Sequence, residues 1–129
     1  LIFDPIKDEM FFAEKNKGAF LNNNRLRVSK KNSLDDCLFA TNSEGVKFSD
    51  LNIRYSGCVS LDLAYVASGR LDGFFQNQIN IWDIAAGVLM VQEAGGVVNN
   101  FNNLSNHKIN IKASSSAINE KMLKNLKNF

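Results

Sequence analysis

The sequence predicts a layered fold of the α+β or α/β class, an antiparallel β meander over residues 1–29 followed by a mixed α/β part over residues 30–129. Three observations carry this. The first 29 residues hold short apolar runs separated by turns rich in Asn, Gly and Asp, with period-two alternation in places. From residue 57 onward, β-like runs alternate with stretches that are apolar on more than one side, as helices covered on two faces must be. The length of 129 residues, with 45% hydrophobic and 22% charged residues, suits one globular core.

The meander comes first. Residues 1–3 read as a strand, Asp4-Pro5-Ile6-Lys7-Asp8 as a turn and residues 10–14 as the returning strand. Lys15-Asn16-Lys17-Gly18 is a hairpin turn whose Gly stands where positive φ is required. Residues 19–21 return, Asn22-Asn23-Asn24 turns again, and residues 25–29 alternate charged and apolar side chains. Residues 30–36 are a polar connection, 37–41 a short buried strand, 42–50 a loop and 53–55 another strand.

Helical signals follow. Ser60 is placed as the N-cap of a helix running to Ser68, with Gly69 as its left-handed exit. Residues 71–76 are a strand, and Asp83 opens a helix over 84–94 that Gly95-Gly96 stops. Val97-Val98 and residues 109–113 are strands. Ser115 and Ser116 offer caps for a terminal helix with Ile118, Met122, Leu126 and Phe129 on one face. Its Lys121, Lys124 and Lys127 lie opposite as a solvated stripe.

Composition excludes several function classes. A net charge of +2 is too small to indicate a nucleic-acid partner. The longest apolar run, residues 84–91, falls far short of the roughly 18–20 residues needed for a membrane-spanning helix. No basic segment followed by an apolar one opens the chain, so a cytoplasmic location is expected. Cys37 and Cys58 have no metal spacing and are expected to be small buried thiols in a reducing compartment. The opening Leu1-Ile2-Phe3 is already strand-like, and a terminal strand needs a neighbour, so a fragment or one half of a split protein is expected.

The chemically informative stretch is Trp82-Asp83-Ile84-Ala85-Ala86-Gly87, continued to Glu93-Ala94-Gly95-Gly96. It places a carboxylate at the start of an apolar helix, where partial positive charge favours the ionised form. The small residues behind it let a backbone or a ligand approach the first turn. Asp83 is therefore either a plain N-cap or a ligand. His107 reads as a surface histidine, Glu93 as structural, and Arg54 and Arg70 as solvated positions that could also meet a phosphate.

This stretch resembles the C-terminal signature of the inositol monophosphatase family of Mg²⁺-dependent phosphatases. The run from Gly57-Cys58-Val59-Ser60-Leu61-Asp62 to Gly69-Arg70-Leu71-Asp72-Gly73-Phe74-Phe75 resembles the family in order and spacing, as do Asp4-Pro5-Ile6-Lys7-Asp8-Glu9 and Gly18-Ala19-Phe20-Leu21-Asn22. The resemblance covers essentially the whole chain. It implies about half of a sugar-phosphatase-like αβαβα layered sandwich. It also implies Asp83 as a Mg²⁺ ligand and Gly57, Cys58 and Val59 as backbone contacts to substrate. The implied substrate is inositol monophosphate or another small phosphorylated sugar or polyol, hydrolysed by metal-activated water. A homodimer is implied for the complete enzyme.

Two departures stand out. The family's acidic residue after the paired aromatics reads an inositol hydroxyl, and here that position is Gln76, which keeps an acceptor and loses the charge. The family's Glu-Glu pair and its Asp-Pro-(Ile/Leu)-Asp-Gly-Thr metal motif are absent, and Asp4-Pro5-Ile6-Lys7-Asp8 has the wrong spacing to replace them. One carboxylate cannot assemble a Mg²⁺ site, so the N-terminal half of the same enzyme would have to supply the rest. The chain alone is expected to be inactive. A non-catalytic remnant or interaction module of this fold, and a nucleotide or fructose bisphosphate phosphatase, remain as alternatives.

Overall fold

The structure, a computed structural model, describes residues 1–43, 51–99 and 107–126. Loop residues 44–50 and the expected Lys127 and Phe129 of the last helix lie outside the described residues. The first sheet is the expected meander. Strands β1 (Ile2–Asp4), β2 (Glu9–Glu14), β3 (Gly18–Leu21) and β4 (Asn24–Arg25) follow one another in order, each antiparallel to the next.

Its turns follow from their residues. Asp4 Oδ1 accepts hydrogen bonds from the backbone N–H groups of Ile6 at 3.0 Å and Lys7 at 3.3 Å, an Asx turn that ends β1. Gly18 has φ +92°, the left-handed geometry its position requires. Asn22 and Asn23 have φ of 44° and 73°, the pair of positive values of a tight hairpin turn. The strand expected over 25–29 is cut short. Past Arg25 the chain leaves the sheet, and Val28 donates its N–H to the Ala94 carbonyl at 3.1 Å, beyond the end of a helix.

The second sheet is mixed, in the order β6-β5-β7-β9-β8. Strands β5 (Phe39–Ala40), β6 (Ile53–Arg54) and β7 (Gly73–Asn80) are parallel, and β9 (Lys108–Ser114) runs antiparallel to β7 and to β8 (Val97–Asn99). Strand β7 is longer than the expected 71–76. It continues through an irregularity between Gln76 and Ile79, where Gln78 takes φ 56°.

Helices α1 (Val59–Ala67) and α2 (Ala85–Glu93) pack together between the sheets, and α3 (Asn119–Asn125) lies on the far face of the second sheet. The layers therefore run sheet, helices, sheet, helix. Adjacent residues Phe74 and Phe75, both fully buried, point to opposite sides of β7. Phe74 joins Leu63, Val66, Ile84 and Met90 in the central core. Phe75 joins Phe39, Ile118 and Met122 beneath α3.

Several local expectations are corrected. Cys58, not Ser60, is the N-cap of α1, and no side chain caps that helix. Asp83 closes a 3₁₀ turn (Ile81–Asp83), and Ile84 is the N-cap of α2, again with no side-chain cap bond. Likewise Ile118, rather than Ser115 or Ser116, precedes α3. Cys37 is buried as expected, and burial with the neighbouring Asp72 carboxylate pushes its thiol up to about 11. Cys58 is exposed instead, as the N-cap residue that precedes the buried turns of α1.

Candidate active site at the entry to the two central helices

The site begins with a close helix crossing. A Cβ placed on Gly87 would fall 2.5 Å from Leu63 Cβ and 2.6 Å from its Cδ1, so only glycine lets α2 lie this close to α1. The small residues behind Asp83 thus admit the neighbouring helix. The crossing brings together the leading ends of both helices, and Ser60 Oγ donates to the Asp83 carbonyl oxygen at 3.3 Å. This joins Asp83 to the Gly57–Cys58–Val59 segment, 24 residues or more away in sequence.

Asp83 is exposed, and among the described residues no hydrogen bond or ion pair reaches its carboxylate. The plain N-cap reading fails for a geometric reason: the 3₁₀ turn moves the helix start past Asp83, so the side chain is not spent on the N–H groups of α2. Trp82 beside it is 64% exposed, and its ring tilts against exposed His107 with centroids 5.7 Å apart.

Across the crossing, Gly57 takes φ +79° in open space. Its N–H donates to Asn42 Oδ1 at 2.9 Å, and the Cys58 N–H donates to Ser56 Oγ at 3.1 Å. Two of the three amides assigned to substrate by resemblance are therefore held by side chains from behind. Asn42 and Ser56 both lead to Asp62, which is buried in the first turn of α1. Burial raises the pKa of Asp62, and its hydrogen bonds with Ser56 and Asn42 oppose the shift.

Gln76 lies half-buried on β7, opposite Ile111. Its Oε1 and the Oδ1 of Asn77 are buried oxygens without a hydrogen-bond partner among the described residues, although the Asn77 N–H donates to Ser43 Oγ at 3.3 Å. A buried acceptor left open is costly, and a hydroxyl or N–H would satisfy it. Among the described residues no hydrogen bond joins Gln76 to Asp83 or to Gly57.

Other polar candidates are committed elsewhere. Arg70 forms a two-pronged ion pair with Glu9, lies over the Tyr65 ring at 5.1 Å and so ties α1 to the first sheet. Glu93 Oε1 accepts the Gly18 N–H at 2.9 Å, which confirms a structural role and holds its carboxyl below the usual range. Asp4 is used by its turn. Among the described residues no three acidic, histidine or cysteine side chains gather where a metal ion could be held. At the entry to the two helices, the Asp83 carboxylate is exposed and without a hydrogen bond or ion pair among the described residues.

The sequence pattern of the inositol monophosphatase family matches residues 1–128. The chain belongs to the inositol monophosphatase family. It is 38% identical to Nus factor SuhB of Escherichia coli K12 over 98% of its own length and 54% of that protein. Against the inositol-1-monophosphatase of Rhizobium meliloti it is 41% identical, over 74% of this chain and 42% of the relative. Among solved structures, the extragenic suppressor protein suhB of Bartonella henselae superposes with a TM-score of 0.87 at 44% identity, covering 97% of this chain and 56% of the other. The inositol monophosphatase of Anabaena gives 0.88 at 30% identity, covering 98% and 58%. The layered fold is thus that of inositol monophosphatases, and the chain spans about half the length of the relatives it matches.

Sequence reasoning missed Asn42, Ser56 and Asp62. A carboxylate among the apolar residues Leu61, Leu63 and Ala64 was a signal for Asp62. Asn42 carries no local signal, because its role depends on a contact across 15 residues or more.

Proposed function

We propose that this member of the inositol monophosphatase family supplies the C-terminal part of a Mg²⁺-dependent phosphomonoesterase acting on inositol monophosphate or a related small sugar phosphate in the cytoplasm. Asp83 is the metal ligand, the Gly57–Cys58–Val59 backbone is the surface that the substrate meets, with the Gly57 and Cys58 N–H groups held from behind by Asn42 and Ser56, and Gln76 reads a hydroxyl. The observation that carries this reading is the Asp83 carboxylate, exposed and unspent at the entry to two helices. Its hard oxygen donors suit Mg²⁺, and the remaining carboxylates would come from the N-terminal half of the same enzyme, which acts as a homodimer when complete. Mg²⁺, when bound, neutralises phosphate charge and makes water a stronger nucleophile. The chain's own part is to hold the substrate against the leading turn of α1, where peptide dipoles favour an anion.

A phosphatase assay on inositol monophosphate, with and without the N-terminal half, tests this. The 129-residue chain alone is expected to bind Mg²⁺ weakly and turn over nothing. Mg²⁺-dependent turnover should appear when the N-terminal half is added. Turnover by the purified chain alone would reject the assignment of missing ligands. Inactivity of the combined halves would favour a non-catalytic module.

A further inference from the structure

Behind Gly57 and Cys58, one buried carboxylate organises everything that holds them. Asp62 is 1% exposed. Its Oδ1 accepts from Ser56 Oγ at 2.7 Å, and its Oδ2 accepts from Asn42 Nδ2 at 3.5 Å. Each donor turns another lone pair toward the loop. Ser56 Oγ receives the Cys58 N–H at 3.1 Å, and Asn42 Oδ1 receives the Gly57 N–H at 2.9 Å. Asp62 touches neither amide, yet it orients both side chains that do.

Packing does not explain a carboxylate here. The neighbouring α1 residues Leu63 and Ala64 are fully buried, and an apolar side chain at position 62 would be cheaper to bury than a charge. What the carboxylate adds is orientation. A Ser hydroxyl rotates freely and an Asn amide can flip, so each needs a fixed partner to keep a chosen atom toward the loop. Orientation is also what this loop lacks by itself, because Gly57 stands in left-handed backbone outside α1 with nothing within 4 Å of its Cβ position.

We infer that Asp62 is a positioning residue: through Ser56 and Asn42 it fixes the Gly57–Cys58 entry to α1 in the shape that a phosphate ester meets. The inference rests on the proposed reading of Gly57, Cys58 and Val59 as substrate contacts. The fixing and the contact can be tested apart.

The experiment is residue-resolved amide hydrogen exchange on the ¹⁵N-labelled chain, comparing wild type, Asp62→Ala, Asp62→Asn and Ser56→Ala. Asp62→Ala should speed exchange at both Gly57 and Cys58 on the order of tenfold, the loss of about one hydrogen bond each. Residues 64–67 of α1 should stay within about twofold, since local opening need not unravel the helix. Ser56→Ala removes an exposed hydroxyl and should leave the fold intact. It should speed exchange at Cys58 and leave Gly57 within about twofold, because Asn42 still holds Gly57 through the other Asp62 oxygen. Unchanged exchange at both amides in Asp62→Ala overturns the inference; where that variant does not fold, Asp62→Asn carries the same test, since one amide oxygen cannot replace the two carboxylate oxygens that accept from Ser56 and Asn42. Uniform acceleration along α1 in Asp62→Ala overturns it too, because that is loss of stability alone. Titration of the wild-type chain with inorganic phosphate and Mg²⁺ tests the other part. Shifts at the Gly57, Cys58 and Val59 amides support the substrate reading, and their absence rejects that reading while the exchange result stands.

Discussion

The two ends of the α1–α2 pair are built from opposite materials. At the crossing, Gly87 receives Leu63 against its backbone, and Val66, Ile84, Met90 and Phe74 exclude water around it. At the leading ends, Asp83, Gly57 and Cys58 are exposed, and their surroundings are hydroxyl, amide and carboxylate groups. One end makes the helices stay; the other leaves the Asp83 carboxylate unspent among the described residues and holds the Gly57–Cys58 loop open to solvent. Substitutions in the crossing should therefore act on stability, and those at the leading ends on binding and turnover.

The comparison breaks most visibly at Gly87. Gly87→Val puts branched carbon where Leu63 already sits, and a loss of roughly 3 kcal/mol is expected from overpacking. A urea midpoint equal to wild type would mean that the crossing is looser than described. The next effect in size belongs to the polar end. In the reassembled enzyme Gln76→Glu should re-rank sugar phosphates by roughly 1.5–3 kcal/mol, the range for a hydrogen bond to a charged group, with metal dependence unchanged. Identical profiles would place Gln76 outside the pocket.

Gln78 sharpens the contrast in the other direction. It holds φ 56° at the irregularity beside Gln76, a backbone region that suits glycine. Gln78→Gly should raise stability by about 0.5–1 kcal/mol, the relief of left-handed strain less the extra chain entropy of glycine. A lower melting temperature would show that the Gln78 side chain contributes more than its backbone costs.

Acid should weaken the attachment of the first sheet to the helices, by the smallest margin of the four. Glu93 is held below its ordinary value of 4.5 chiefly by the Gly18 N–H, and Glu9 likewise by Arg70. Their contributions are full above about that value and disappear as pH falls through the lower folded ones. Asp62 works in the opposite sense, since its raised pKa makes protonation favour the fold. Glu93→Gln should therefore reduce the loss of urea resistance between pH 7 and pH 3. An unchanged loss would remove the Gly18 contact from the acid response.

How much was legible in the sequence divides along the same line. The meander was readable because Gly18 and the Asn22–Asn23 pair declare their turns locally, and the buried helices because their apolar residues cover more than one side. The helix starts were misplaced because Ser60 and Asp83 look like caps. In the structure the hydroxyl reaches Asp83 across the crossing instead, and a 3₁₀ turn shifts α2 past its aspartate. The length of β7 was hidden by a bulge that interrupts its alternation. Asp83 and Gln76 stood out through resemblance, whereas Asn42 and Ser56 matter only through bonds that the folded chain creates.

Asp83→Asn in the reassembled enzyme tests the central claim most directly. Asn is nearly isosteric, and Asp83 makes no cap bond that the change could break, so the melting temperature should stay close to wild type. A neutral amide oxygen is a poor donor to a hard dication. Activity should therefore fall on the order of a hundredfold or more, as loss of a metal ligand costs, with a higher Mg²⁺ concentration needed for the remainder. Full activity at an unchanged Mg²⁺ requirement would contradict the account and remove Asp83 from the site.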